Sequence, residues 1–297
     1  MPRAARLPAP LGEADALDAV PPSERRAVRP DRLPIAIDGW VEALKSRYDR
    51  RITAQVSIPA KPGKYSEFPP ELDPGLRLAL ERRGVTRLYS HQAEAWDAIR
   101  DGRDVVVVTP TASGKTLCYN LPVLDAARSA RAKALYLFPT KALAQDQVAE
   151  INELNRAGDL GVRAYTFDGD TPGDARKAVR TRGDIVVTNP DMLHSAILPH
   201  HTKWTKLFES LEYVVVDELH MCRGVFGSHV ANVLRRLRRI CQFYGSNPTF
   251  ILCSATIANP DELAAALVGC RGTAPPAATM SPGARRWVFA TKPPWRA

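Results

Sequence analysis

Six short apolar runs, each followed by a stretch of helical periodicity, constrain this chain more than any other feature. The runs occupy residues 105–108 (VVVV), 134–138 (ALYLF), 162–167 (VRAYTF), 185–188 (IVVT), 213–216 (YVVV) and 250–253 (FILC). Helical patterns fill 115–127, 142–155, 172–180, 227–244 and 260–267. Strands that read as continuous apolar runs are buried on both faces, so the alternation predicts an α/β fold: a mainly parallel sheet with helices on both sides. Two helices precede the first strand. One spans 74–83 and ends at Gly84, and the other spans 90–100, with Ser90 as its N-cap and Gly102 just beyond its end.

The rest of the chain is organised around that block. Residues 1–71 form a Pro/Arg-rich extension in which repeated prolines break any long helix, apart from one helix expected near 38–48. Residues 72–270 hold the strand and helix alternation. Residues 271–297 are rich in Ala, Pro and Gly without a single acidic side chain, and read as a basic tail or the start of a linker. Within that tail Arg285, Arg286, Trp287, Val288 and Phe289 suggest one further strand. The balance of 41 Lys+Arg against 32 Asp+Glu gives a net charge of +9, which suits a polyanionic partner such as nucleic acid and equally fits a basic protein without one. Five scattered cysteines with no C-x-x-C pair give neither a zinc site nor a disulfide framework and are expected to be reduced and buried. No apolar run is long enough to span a bilayer and the first residues lack a signal core, so a cytoplasmic location without a membrane partner is expected.

In an open α/β sheet, ligands bind at the carboxyl ends of the strands, and here nearly every strand ends in specific polar residues. The first runs into Thr109, Pro110, Thr111, Ala112, Ser113, Gly114, Lys115 and Thr116. A strand that turns through small residues into Gly-Lys-Thr and a helix presents backbone N–H groups and a helix N-terminus to phosphate. Lys115 would meet the β/γ-phosphates and the Thr116 hydroxyl would ligate Mg²⁺. The first glycine usual in such loops is replaced by Thr109, and a strand-to-helix turn without a ligand is the bland alternative. The fifth strand ends in Asp217 and Glu218. Asp217 is placed to hold Mg²⁺ and Glu218 to orient or deprotonate the attacking water, although two acidic residues can also simply cap the next helix. Remaining strand ends carry Pro139-Thr140-Lys141, Thr188-Asn189-Pro190-Asp191 and Ser254-Ala255-Thr256. The run from Leu234 to Ile240 spaces apolar residues at helical intervals with arginines between them, mainly a solvated face.

With these motifs in this order the chain resembles superfamily 2 helicases of the DEAD/DEAH-box type, over about residues 72–270. Residues 109–116 match motif I, 138–147 motif Ia, 188–193 motif Ib, 217–220 motif II and 254–256 motif III. More narrowly, Leu88-Tyr89-Ser90-His91-Gln92 and the stretch 217–232 look like the group of bacterial mitomycin-repair helicases and their fungal RecQ-like relatives. The resemblance implies a RecA-like P-loop NTPase domain that takes ATP and Mg²⁺ and couples hydrolysis to strand separation, DNA before RNA, in DNA repair. It assigns adenine recognition to Gln92, sugar-phosphate contacts to Thr140, Lys141, Gln145, Thr188 and Asn189, and coupling to His220, Ser254 and Thr256. Such helicases hydrolyse ATP between two RecA-like domains, the second supplying an arginine finger. The chain ends too soon for that domain, so the expectation is a first domain that is weakly active or inactive alone and needs its second in cis or in trans. A nucleotide-dependent nucleic-acid-binding module without unwinding is the alternative.

Overall fold

Valine and isoleucine at alternating depths set the centre of this computed structural model, which describes residues 37–48, 63–110, 113–255, 257–269 and 288–291. The chain divides into two units, 1–61 and 62–297. In the first, helix α1 spans Ile37–Tyr48. The second opens with strand β1 (Tyr65–Ser66), helix α2 (Pro74–Arg82), strand β2 (Leu88–Tyr89) and helix α3 (Ser90–Arg100). It continues through β3 (Val105–Val108), α4 (Lys115–Ser129), β4 (Lys133–Leu137), α5 (Lys141–Gly158), β5 (Ala164–Thr166), α6 (Gly173–Arg182) and β6 (Ile185–Thr188). Short helices α7 (Pro190–Met192) and α8 (Thr205–Glu209) precede β7 (Leu211–Val216), α9 (Gly224–Phe243), β8 (Thr249–Ser254), α10 (Pro260–Val268) and β9 (Val288–Thr291).

Strands β5-β6-β4-β7-β8-β3-β9, in that order, form a sheet in which every pairing is parallel. The period-2 alternation of side chains divides the core cleanly into two. Val105, Val107, Ala134, Tyr136, Ile185, Val187, Val215 and Ile251 face one layer with Leu76, Trp96, Leu121, Ile151 and Leu154 of α2 to α5. Val106, Val108, Leu135, Leu137, Val186, Val214, Val216 and Leu252 face the other, with Val179, Phe208, Leu234, Leu237 and Leu267. The expected doubly covered parallel sheet is therefore present, with all six expected strands.

Several elements differ from the sequence reading, each for a local reason. Tyr89, not Ser90, is the N-cap of α3, because the Gln92 side chain reaches back to accept the Tyr89 N–H at 2.9 Å and draws Ser90 into the first turn. The strand expected over 162–167 pairs only at Ala164–Thr166. Residues 193–204, which gave no periodic signal, form a wide turn at Leu193–Ile197 and a tight one at Leu198–Trp204, where Pro199 cannot extend an α-helical ladder. Of the tail strand anticipated at 285–289, the described part, Val288–Thr291, pairs with β3. Its first three expected residues lie outside the described residues.

Arg238 also departs from a solvated face. Its guanidinium sits over the Phe250 ring at 4.8 Å and lies 3.6 Å from the buried carboxylate of Asp104. Asp104 in turn accepts the Phe250 N–H at 2.8 Å, so one carboxylate joins the starts of β3 and β8 to α9. Replacing it strands a buried N–H and an arginine together. Asp104→Ala should therefore lower stability by about 3 kcal/mol in urea titration, with the m-value unchanged.

Candidate nucleotide and nucleic-acid site

Parallel register brings the polar strand ends to one edge. Val108 pairs with Ser254, and Val216 with Leu252, so the ends of β3, β8 and β7 lie side by side. The chain leaves β3 by the loop that becomes α4. Gly114 takes φ 77° as the N-cap of α4, and a Cβ there would meet Gln92 Nε2 at 2.7 Å, so both conformation and space call for glycine. Gln92 is buried. Its amide donates to the Gly114 carbonyl at 2.8 Å while its oxygen holds the Tyr89 N–H, which ties the start of α3 to the loop. Thr109 is buried where other such loops carry glycine, and its hydroxyl meets that of Ser113 at 2.5 Å, closing the loop across its base. Lys115 folds over the same loop, its Nζ donating to the carbonyls of Thr109 and Pro110, each at 3.1 Å. Thr116 is the second residue of α4. Thr111 and Ala112 lie outside the described residues.

Opposite the loop, Asp217 leaves β7 with its N–H on Leu137 O at 3.1 Å. One carboxylate oxygen accepts the Glu218 N–H at 2.8 Å and the other the Tyr119 hydroxyl at 3.1 Å. Burial pushes this carboxyl above its ordinary value, while the Glu218 N–H, the Tyr119 hydroxyl and the Lys115 charge pull the other way. A desolvated carboxylate and a threonine hydroxyl are hard oxygen donors that fit Mg²⁺, and the Lys115 ammonium suits the phosphates. Glu218 is one of three non-glycine residues with positive φ among the described residues, at 54°. Its carboxylate approaches His220 Nδ1 to 3.1 Å. Backbone held in the left-handed region by a non-glycine residue costs free energy, and such residues cluster at working sites. Ser254, at the end of β8, is fully buried, and its hydroxyl has no hydrogen-bond partner among the described residues. Thr256, the third residue of that turn, lies outside them.

The remaining strand ends form a second group on the same edge. Thr140 caps α5, accepting the Leu143 N–H at 3.4 Å, and Lys141 pairs with Asp170 at 2.5 Å in full solvent. Gln145 is exposed one turn further on and borders an open cleft of about 590 Å³ shared with Tyr165, Asp168 and Asp170. Asn189 caps α7 by accepting the Met192 N–H at 2.8 Å. Thr188 stands apart from this group: it is buried, and its hydroxyl donates to Phe167 O at 2.6 Å, bracing β6 rather than facing out.

Sequence reasoning passed over three aromatic residues here. Tyr65 and Tyr89 face each other across the antiparallel β1/β2 ladder with rings stacked at 5.1 Å, under the Arg87 guanidinium at 4.8 Å from Tyr65. A Cβ on Gly114 would lie 3.9 Å from the Tyr89 ring, so this stack borders the phosphate loop. Tyr119 lies within α4, and only the fold brings it to Asp217. Burial pushes its phenol well above the ordinary range, with the Asp217 charge adding to the effect, so it remains a donor.

A glycine-turned loop, a lysine, a threonine hydroxyl and a carboxylate at adjacent parallel strand ends define a P-loop nucleotide-binding domain. The chain belongs to the DEAD/DEAH box helicase family, whose model matches residues 89–263. It is 58% identical over 213 residues to the uncharacterized ATP-dependent helicase YprA of Bacillus subtilis (strain 168), covering 71% of this chain and 28% of that one. It is 40% identical over 236 residues to the ATP-dependent helicase HRQ1 of Saccharomyces cerevisiae, covering 75% of this chain and 21% of that one. Among solved structures, the DUF1998 helicase MrfA bound to DNA and AMPPNP superposes with a TM-score of 0.70 at 58% identity, over 71% of this chain and 30% of that one. The chain thus spans less than a third of these relatives. Among the described residues no helix is long and apolar enough to cross a membrane.

Cys118 and Cys253 lie under the site, both fully buried. Burial pushes the Cys118 thiol up to about 12, and that of Cys253 well above its ordinary value. Both stay protonated and unreactive at pH 8. Iodoacetamide at that pH should leave them unmodified in the folded chain and alkylate them in urea, as read by peptide mass spectrometry.

Proposed function

We propose that this chain is the ATP-binding and nucleic-acid-binding first domain of an ATP-dependent DNA helicase acting in DNA repair, completed by a second RecA-like domain. The observation that carries the reading is the convergence of Gly114, Lys115, Thr116, Asp217 and Glu218 on one edge of a parallel sheet. Backbone N–H groups at the start of α4 and the Lys115 ammonium bind the phosphates, releasing Lys115 from the carbonyls of Thr109 and Pro110 that it otherwise holds. Thr116 and Asp217 hold Mg²⁺, which when bound neutralises charge on the β- and γ-phosphates. Glu218 orients the attacking water and accepts its proton. Gln92 would read the adenine edge with its amide, exchanging its bonds to the Tyr89 N–H and the Gly114 carbonyl for the base.

Thr140, Lys141, Gln145 and Asn189 would grip a strand by its phosphates. The N-terminus of α5 aims backbone N–H groups at that edge, and hydroxyl, amide and ammonium groups read no sequence. DNA is favoured over RNA because MrfA, the similar protein at 58% identity, is bound to DNA. His220, Ser254 and Thr256 would pass the state of the phosphates to that grip, and the buried Ser254 hydroxyl, without a hydrogen-bond partner among the described residues, supports that role. A second domain would add the arginine finger, worth about 10³ to 10⁵ in rate in other nucleotide hydrolases.

Lys115→Ala should reduce ATP affinity by about a hundredfold or more in equilibrium titration. Glu218→Gln should keep affinity within about threefold while cutting single-turnover hydrolysis by at least about a hundredfold. Equal loss of binding in both variants would contradict the roles assigned.

A further inference from the structure

Behind the Asp217 carboxylate runs a line of buried polar groups that the nucleotide site does not use. Tyr119 Oη lies 3.1 Å from Asp217 Oδ2 and 3.0 Å from Gln147 Oε1. Gln147 Nε2 donates to Asn120 Oδ1 at 3.2 Å, and the Tyr136 hydroxyl donates to the same oxygen at 3.0 Å. Tyr119, Gln147, Asn120 and Tyr136 are all buried. A phenol carries one proton, yet Tyr119 faces two acceptors, while Asn120 Nδ2 at the far end is buried without a partner. The line is therefore short of a donor at one end and has one unused at the other.

Turning both amides over moves the imbalance to the far end of the line. Gln147 Nε2 then donates to Tyr119 Oη, Asn120 Nδ2 donates to Gln147 Oε1, and the Tyr119 proton is committed to Asp217. The Tyr136 oxygen accepts from Asn120, and Asn120 Oδ1 takes the place without a partner. The first arrangement leaves Asn120 Nδ2 and one of the two acceptors of Tyr119 unmet, the second leaves Asn120 Oδ1 and the Tyr136 proton unmet, and they differ in whether Tyr119 supports Asp217. Gln147 sits on α5, the helix whose exposed first residues are Lys141 and, one turn on, Gln145. Movement of α5 would shift the amide that selects between the two.

We propose that Tyr119 is a positioning residue for the Asp217 carboxylate, and that Gln147 on α5 competes for its single proton, so that the nucleic-acid side of the domain sets how well Asp217 is oriented for Mg²⁺. The inference rests on the reading of this edge as an Mg²⁺-nucleotide site. Asn120 and Tyr136 terminate the line and give Gln147 its alternative partner. Because the line is buried, bulk water cannot supply the missing hydrogen bond, and the choice falls to these four side chains and to the Thr116 hydroxyl that meets the Tyr119 phenol.

The test uses the full chain and the dissociation constant of ATP measured in EDTA and in saturating Mg²⁺, their ratio being the gain due to the metal. Tyr119→Phe should lower that gain roughly tenfold, leaving affinity in EDTA within about twofold. Gln147→Met, which removes the competing acceptor, should raise the gain roughly threefold, and should do nothing when added to Tyr119→Phe. A packing role would instead lower both affinities together in either variant. An unchanged gain in Tyr119→Phe, a fall in Gln147→Met, or parallel losses with and without Mg²⁺ would each overturn the inference while leaving the site reading intact. Wild-type chain that binds no ATP would overturn the site reading, and this inference with it.

Discussion

The parallel pairing of β3, β8 and β7 is the constraint on which the rest of the structure depends. Val108 opposite Ser254 and Val216 opposite Leu252 bring three loops out of the sheet at one level. The pairing is held because each of these strands is apolar on both faces, so a slip by one residue would exchange two tightly filled layers. With the register fixed, the phosphate loop, the Asp217-Glu218 turn and the Ser254 turn must meet. β4, paired to the other side of β7, carries Thr140 and Lys141 to the same edge. Both halves of the proposed chemistry are therefore set by the interdigitation of valines and isoleucines some distance beneath them.

Most of this architecture was legible in the sequence because its signals are local. Apolar runs of four to six residues, small-residue loops and helix-length periodicity fixed the six expected strands and nearly every helix. The phosphate loop was readable for the same reason, since its Gly-Lys-Thr turn is contiguous. Its irregular first position has a structural account: the Thr109 hydroxyl closes the loop on Ser113, a tie that glycine cannot make.

What sequence could not show depends on contacts between distant residues. Tyr119 and Asp217 are 98 positions apart and Asp104 and Phe250 are 146 apart, and nothing in either neighbourhood announces the partner. Arg238 reads as one of four solvated arginines until α9 is laid against β8. The resemblance gives Thr188 a sugar-phosphate contact, yet it falls on the last buried position of β6, with its hydroxyl on Phe167 O. Two-residue strands such as β1 and β2 are too short for any periodicity, which hid the Tyr65 and Tyr89 stack.

The electrostatics of the site follow from burial. A carboxylate, a lysine and a threonine hydroxyl brought together where water is scarce interact strongly with one another and with any anion placed among them. Lys115 donates to two loop carbonyls, and Asp217 accepts from the Glu218 N–H and the Tyr119 hydroxyl. The central claim is that this edge holds a metal-bound triphosphate between the start of α4 and the end of β7. Anomalous diffraction from crystals grown with AMPPNP and Mn²⁺ tests it most directly. The account predicts a manganese peak within coordination distance of both Thr116 Oγ1 and Asp217, with the phosphates against the N–H groups of residues 114–116; manganese bound elsewhere, or phosphates away from that loop, would contradict it.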